Sequence, residues 1–162
     1  MIFVITGTEK FSFDILIKEI DRLAASVFFK EKVFVQLGSC LYEPKHCEWR
    51  RFLSFGEMCE KIEEAETVIA HAGAGITLLC IQMGHKPLLI PRRKAFGEHV
   101  DDHQVSFARK FETTGMVSVI YEMEDISIRY PQANYKKVHL KRQGSRDQLI
   151  KYLDSFVESS SS

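Results

Sequence analysis

A chain of 162 residues, 45% hydrophobic and 27% charged, has the composition of one soluble globular domain with room for a real core. Lysines plus arginines and aspartates plus glutamates both number 22, so there is no overall positive field to displace counterions, which argues against non-specific nucleic-acid binding. No apolar run approaches the ~20 residues of a membrane span, and the opening MIFVITGTEK is too short and too uncharged at its front for a secretion signal. The expectation is a cytoplasmic protein that meets a membrane only peripherally, through a partner.

In chain order, residues 2–6 form a continuous apolar run, as in a strand buried on both faces. Gly7-Thr8 makes a turn, and a helix is predicted over 12–25, with Ser12 as its N-cap and Phe13, Leu16, Ile17, Ile20, Leu23 and Ala24 at helical spacing. A second strand over 33–37 ends at Gly38-Ser39. Residues 42–51, with Pro44, read as a loop, and a short third strand is placed at 51–54. Ser54 and Glu57 have capping-box spacing for a helix over 55–65.

The richest stretch runs from His71 to Gln104. A strand over 67–70 leads into the small-residue turn His71-Ala72-Gly73-Ala74-Gly75, then a helical pattern to Gly84. A strand over 87–90 ends at Pro91 and opens into Arg92-Arg93-Lys94, followed by a helix over 101–113 that stops at Gly115. A sixth strand is expected over 117–121 and a closing helix over 146–157. Residues 1–158 read as one domain and 159–162 as a disordered serine tail. Alternating strands and helices imply a doubly wound parallel sheet with helices on both faces, which binds ligands beyond the carboxyl ends of its strands.

At that edge the Gly73-Ala74-Gly75 turn would present free helix-start amides to an anion. It is neither a Walker loop nor the G-x-G-x-x-G fingerprint, because Leu78 stands where the third glycine belongs. Arg92 and Arg93 are candidates to neutralise a diphosphate or a lipid phosphate. Glu98, Asp101, Asp102, His103 and Gln104 have the side chains that hold sugar or ribose hydroxyls. His99 and His103, four apart with Glu98 adjacent, also carry a rival reading as a metallohydrolase. Cys40, His46 and Cys47 fit no common zinc spacing, Cys80 reads as a buried thiol, and no G-x-S-x-G elbow supports Ser39 or Ser54 as a nucleophile.

These elements together resemble the C-terminal half of family-28 glycosyltransferases. The matching stretches are MIFVITGT, Phe13-Asp14-x-Leu16-Ile17-x-Glu19-Ile20-Asp21, Val35-Gln36-Leu37-Gly38-Ser39, His71–Gly75, Gly84-x-Lys86-Pro87 through Pro91-Arg92, and Glu98-His99-x-x-Asp102-His103-Gln104. The chain looks most like the short stand-alone members: E-type subunits of bacterial exopolysaccharide and capsule transferases, and the cytosolic subunit of the dolichol-linked N-acetylglucosaminyltransferase. The resemblance implies a Rossmann-like half of a GT-B enzyme that binds a UDP-sugar as substrate, with no metal or other cofactor. It implies a site drawn from Gly7, Thr8, Gly38, Ser39, His71, Ala72, Gly73, Ala74, Gly75, Pro91, Arg92, Glu98, His99, Asp102, His103 and Gln104. It also implies a membrane-associated partner that supplies the N-terminal half, the catalytic base and the site for a lipid-linked saccharide acceptor. Phe28, Phe29, Tyr42 and Trp49 are candidates for the partner surface or for the core, and without the partner a homodimer is plausible. An accessory subunit that only stimulates its partner is the alternative function. Two positions depart from the family pattern: Leu79 stands where many relatives hold the ribose with a glutamate, and Glu9 where a histidine is usual.

Overall fold

The computed structural model describes residues 1–132; the predicted helix over 146–157 and the serine tail lie outside them. Six parallel strands form one sheet in the order β3-β2-β1-β4-β5-β6. They are β1 (Ile2–Ile5), β2 (Val33–Gln36), β3 (Glu48–Arg50), β4 (Thr67–His71), β5 (Leu88–Ile90) and β6 (Ser118–Val119). Helices α1 (Asp14–Ala25), α2 (Phe55–Glu64), α3 (Ala74–Gln82), α4 (His103–Glu112) and α5 (Ile126–Arg129) pack on it. This is the doubly wound order, with its reversal between β1 and β4.

The pleat sorts each central strand between two cores. Ile2, Val4, Ile69, Leu88 and Ile90 pack with Leu16, Ile17, Ile20 and Leu23 of α1 and Ile126 of α5. Phe3, Ile5, Val68, Ala70 and Leu89 face the other way, against Ile62 of α2, Cys80 and Ile81 of α3, and Phe107, Ala108 and Phe111 of α4. Both faces are therefore apolar, which is why β1 and β4 read as uninterrupted hydrophobic runs rather than alternating ones.

Two local predictions shift. The third strand is Glu48–Arg50, not 51–54: Trp49 turns inward against the α1-side core, and Leu37 N–H and Gly38 N–H donate to Arg50 and Arg51 carbonyls. Helix α1 begins at Asp14 with Phe13 at the N-cap; Ser12 Oγ accepts from Asp14 N–H from outside the helix. The candidate partner residues are packed inward, Phe29 within the α1-side core and Phe28, Tyr42 and Trp49 against it. The polar loop after β2 is tied to α1 by carboxylates. Asp14 accepts from the Leu41 and Tyr42 amides, and buried Asp21 from Lys45 N–H, His46 N–H and Tyr42 O–H. The Ser54–Glu57 capping box of α2 forms as predicted.

Two helices end in the same pair of bonds with different residues at the left-handed position. After α3, His85 N–H reaches Cys80 O and Gly84 N–H reaches Ile81 O, with Gly84 at φ +85°. After α1, Phe28 N–H reaches Leu23 O and Val27 N–H reaches Ala24 O, with Val27 at φ +56° and 80% exposed. A β-branched residue there costs about 1–2 kcal/mol that glycine does not. Val27→Gly is therefore expected to stabilise the protein by up to about 1 kcal/mol after the unfolded-state entropy of glycine is subtracted. The melting temperature should rise by about 2–4 °C in calorimetry; a lower melting temperature would show that the turn is not strained.

Candidate functional site

The ends of β1 and β4 meet where the strand order reverses, and glycines set how closely. The His71 imidazole lies between two of them. A Cβ on Gly7 (φ +87°) would stand 2.6 Å from its Cε1, and one on Gly73 2.3 Å from its Nε2. Gly38 (φ +56°) backs onto Gly7, where a Cβ would come within 2.1 Å of the Gly7 carbonyl oxygen. Here the glycines let three backbone segments and one ring share a space that no side chain could enter.

This packing also occupies the Gly7 backbone. Gly7 N–H donates to Gln36 Oε1 at 3.0 Å, and Gly7 O accepts from Gln36 Nε2 at 2.9 Å, so the Gly7 backbone is already engaged. Gln36 also donates to Arg51 O, and Thr6 Oγ1 to Gln36 O and Leu37 O. Gln36 was not singled out in the sequence, although a fully buried amide in an apolar strand was the available signal. Thr8, just beyond, is exposed, and Ser39 is half-buried.

Arg92 is likewise not a surface cation. It is 1% exposed. Its Nη1 donates to Phe11 O (2.7 Å), Ser12 O (3.2 Å) and Glu98 O (3.2 Å), and its Nη2 to Thr6 O (2.8 Å). The guanidinium lies 4.8 Å from the Phe13 ring centroid. Its backbone N–H donates to Gln104 Oε1 at 3.1 Å, which turns that buried amide inward as well. Glu98 is buried too, with Oε2 accepting from Arg93 N–H. Arg92, Glu98 and Gln104 thus build the loop after β5 rather than line its surface. Arg93 pairs with Glu122 at 2.9 Å.

His99 and His103 do not form a metal pair. His99 Nδ1 lies 3.0 Å from Asp101 Oδ1 and His103 Nδ1 3.5 Å from Asp101 Oδ2, so both rings are turned to the carboxylate between them. Among the described residues no group of three histidine, cysteine or acidic side chains could hold a metal. Cys40 accepts from Phe13 N–H, whereas His46 turns to Asp21, and Cys80 is a buried free thiol.

What remains open is the start of α3. Gly73 supplies no capping side chain, and the first intrahelical bond is Thr77 N–H to Gly73 O, so the amides of Ala74, Gly75 and Ile76 have no intrahelical acceptor. Ala74 and Gly75 are exposed, and nothing lies within 4 Å of a Cβ built on Gly75. Beside them a groove of about 600 Å³ runs between α3 and the start of α2, lined by Phe55, Met58, Gly75, Ile76 and Leu79. Phe55 and Met58 were not anticipated as site residues; Phe55, 74% exposed, is apolar where a helix start gains nothing from it. An anion-binding helix start beside an apolar groove suits a ligand with a phosphate and a flat apolar ring. Pro91 is buried at the end of β5, while Asp102 and His103 are exposed.

Burial of the His71 imidazole, with Arg92 nearby, pushes its pKa down from 6.5 to about 4. A buried base with a lowered pKa is neutral in the folded state, and the unfolded chain takes the proton first. Its contribution is intact above pH 6.5 and is lost as the pH falls towards 4, by about 3 kcal/mol at most. The slope of stability against pH between 6.5 and 4, from urea unfolding, should be shallower in His71→Asn; equal slopes would mean that His71 titrates normally. Arg92→Met should lower stability by about 3–5 kcal/mol, because four carbonyls lose their donor. An unchanged urea midpoint would show that the clamp is dispensable.

The model of the glycosyltransferase family 28 C-terminal domain matches residues 1–127. Among solved structures, the chain is similar to the crystal structure of Acinetobacter baumannii MurG, with a TM-score of 0.54 and 16% identity over 80% of this chain and 40% of that one. At that identity the likeness is one of fold: a Rossmann-like half of a larger protein. No curated protein matched the chain in sequence. No helix of the described residues is long and apolar enough to cross a membrane. The chain belongs to glycosyltransferase family 28, as a C-terminal-type domain of that family.

Proposed function

We propose that this chain is the donor-binding subunit of a two-component inverting glycosyltransferase, passing a sugar from a UDP-sugar to a lipid-linked saccharide acceptor in polysaccharide or glycan synthesis. The observation that carries the reading is the uncapped start of α3 beside the apolar groove, at the point of the sheet where strand order reverses. In this reading the diphosphate meets the Ala74–Ile76 amides and the uracil lies in the groove against Phe55 and Met58. The exposed Thr8, Asp102 and His103 reach the sugar.

Inverting transfer breaks the bond between the sugar's anomeric carbon and the diphosphate as the acceptor hydroxyl attacks from the opposite side. Charge develops on the departing phosphate, where the α3 amides and helix dipole stabilise it. The base that takes the acceptor proton belongs to the membrane-associated partner, which also supplies the N-terminal half and the acceptor site at the cytosolic membrane face. An accessory, stimulatory subunit is the second reading. It draws on Leu79, which faces the groove with no polar group for a ribose hydroxyl.

Thermal unfolding with UDP, ADP and GDP in parallel tests the donor reading. A ligand at about 100 times its dissociation constant adds about 2.7 kcal/mol, and UDP alone should raise the melting temperature by about 5–10 °C. A rise with no nucleotide would favour the accessory reading. Gly75→Asp should abolish the UDP shift by setting a carboxylate against the phosphate, while the free protein stays as stable or gains a few tenths of a kcal/mol from an acid at a helix start. Leu79→Glu should tighten UDP binding about tenfold in calorimetric titration by restoring a charged acceptor for the ribose. Unchanged affinity in both variants would place the nucleotide elsewhere.

A further inference from the structure

We propose that α3 reads the donor nucleotide at its two ends only. The helix-start amides take the diphosphate, the Gln82 side chain takes the edge of the pyrimidine, and the pentose between them goes unread. The site then accepts 2′-deoxyribonucleoside diphosphates, those of thymine included, as readily as UDP. The inference rests on the donor reading and adds to it a base-reading residue and a second class of nucleotide.

The groove follows α3 along one face. Gly75, Leu78, Leu79 and Gln82 line it, at the i, i+3, i+4, i+7 spacing that brings residues onto one side of a helix. A rise of about 1.5 Å per residue sets Leu79 about 6 Å and Gln82 about 10 Å along the axis from Gly75. A nucleotide carries its parts in that order: diphosphate, pentose, base. Of the nine residues of α3 only Thr77 and Gln82 have polar side chains, and Thr77 Oγ1 donates to Gly73 O. Gln82 is exposed, and its side chain makes no hydrogen bond among the described residues. A side-chain amide offers an acceptor and donors side by side, which match the N3–H and O4 of uracil or thymine. A purine carries its pairing edge farther from the pentose and would place it beyond Gln82.

Between these polar ends the described lining has nothing for a pentose hydroxyl. Leu78 and Leu79 of α3 form the middle of the groove, with Phe55 and Met58 of α2 as the other wall. The one hydroxyl among the described lining residues, Ser54 Oγ, is committed to the cap of α2: it donates to Glu57 Oε2 and accepts from Glu57 N–H. An apolar wall gains nothing from a 2′-hydroxyl and does not strongly reject one. Removing that hydroxyl therefore costs no hydrogen bond, and the 5-methyl of thymine adds apolar surface for the groove to cover.

The test is calorimetric titration of the full chain with UDP, dUDP, dTDP and inorganic pyrophosphate. The three nucleotides should bind within about threefold of one another, because no hydrogen bond to the protein separates them. Gln82→Ala exchanges an exposed helical residue for the best helix former, so the fold is kept. It should weaken all three nucleotides about fivefold or more and leave pyrophosphate unchanged. Leu79→Glu, which supplies an acceptor at the pentose, should make UDP bind about tenfold more tightly than dUDP. A preference of the unaltered protein for UDP over dUDP of about tenfold or more would overturn the unread pentose. UDP affinity unchanged in Gln82→Ala, or pyrophosphate weakened as much as UDP, would overturn the base contact. In each of these cases UDP still binds the unaltered protein and the donor reading stands. Binding of no nucleotide at all would sink the donor reading and this inference with it.

Discussion

The buried guanidinium of Arg92 holds the ligand edge together. It reaches the carbonyl at the end of β1, two carbonyls before α1 and one in the loop after β5, so three separate chain segments converge on one planar cation. Only arginine offers that many donors in a fixed fork, and an ammonium could not reach them all. Gln104 adds a fourth segment by accepting from the Arg92 backbone at the start of α4. A positive charge set inside in this way cannot also serve as a counter-ion outside.

That choice has an electrostatic consequence. With Arg92 enclosed and Arg93 paired with Glu122, the most open anion-binding groups at the strand-order reversal are the backbone amides of α3. Backbone dipoles need no side-chain reorganisation when charge moves, which suits a leaving phosphate. The close packing of Gly7 and Gly73 around a neutral His71, with Gly38 behind Gly7, keeps those amides in register with the end of β1. The glycines serve packing first, and ligand approach follows from it.

Besides the apolar groove, the strand ends carry a smaller cleft lined by Ile15, Arg93, Phe96, Glu98, Glu122 and Met123. The groove borrows its walls from α2 and α3, on one face of the sheet, and the cleft borrows from α1, on the other. A parallel sheet with helices on both faces therefore presents two differently lined hollows from one row of strand ends.

Much of this was legible in the chain because it depends on short-range patterning. Runs of hydrophobic residues dictated β1, β2, β4 and β5, helical spacing dictated α1 to α4, and Ser54 and Glu57 announced their own cap. The order of small and polar residues after β4 and β5 carried the family. What needed tertiary structure was the direction in which each polar side chain points. Arg92, Glu98 and Gln104 read as surface groups because charged and amide side chains usually are. Their burial depends on carbonyls and amides contributed from as far as 86 residues away, which no local pattern encodes. The same holds for Gln36 against Gly7, for the shift of β3 to Glu48–Arg50, and for the inward turn of Tyr42 and Trp49. Local periodicity determined the elements; long-range hydrogen bonding and close packing decided which candidate residues remain free to meet a ligand.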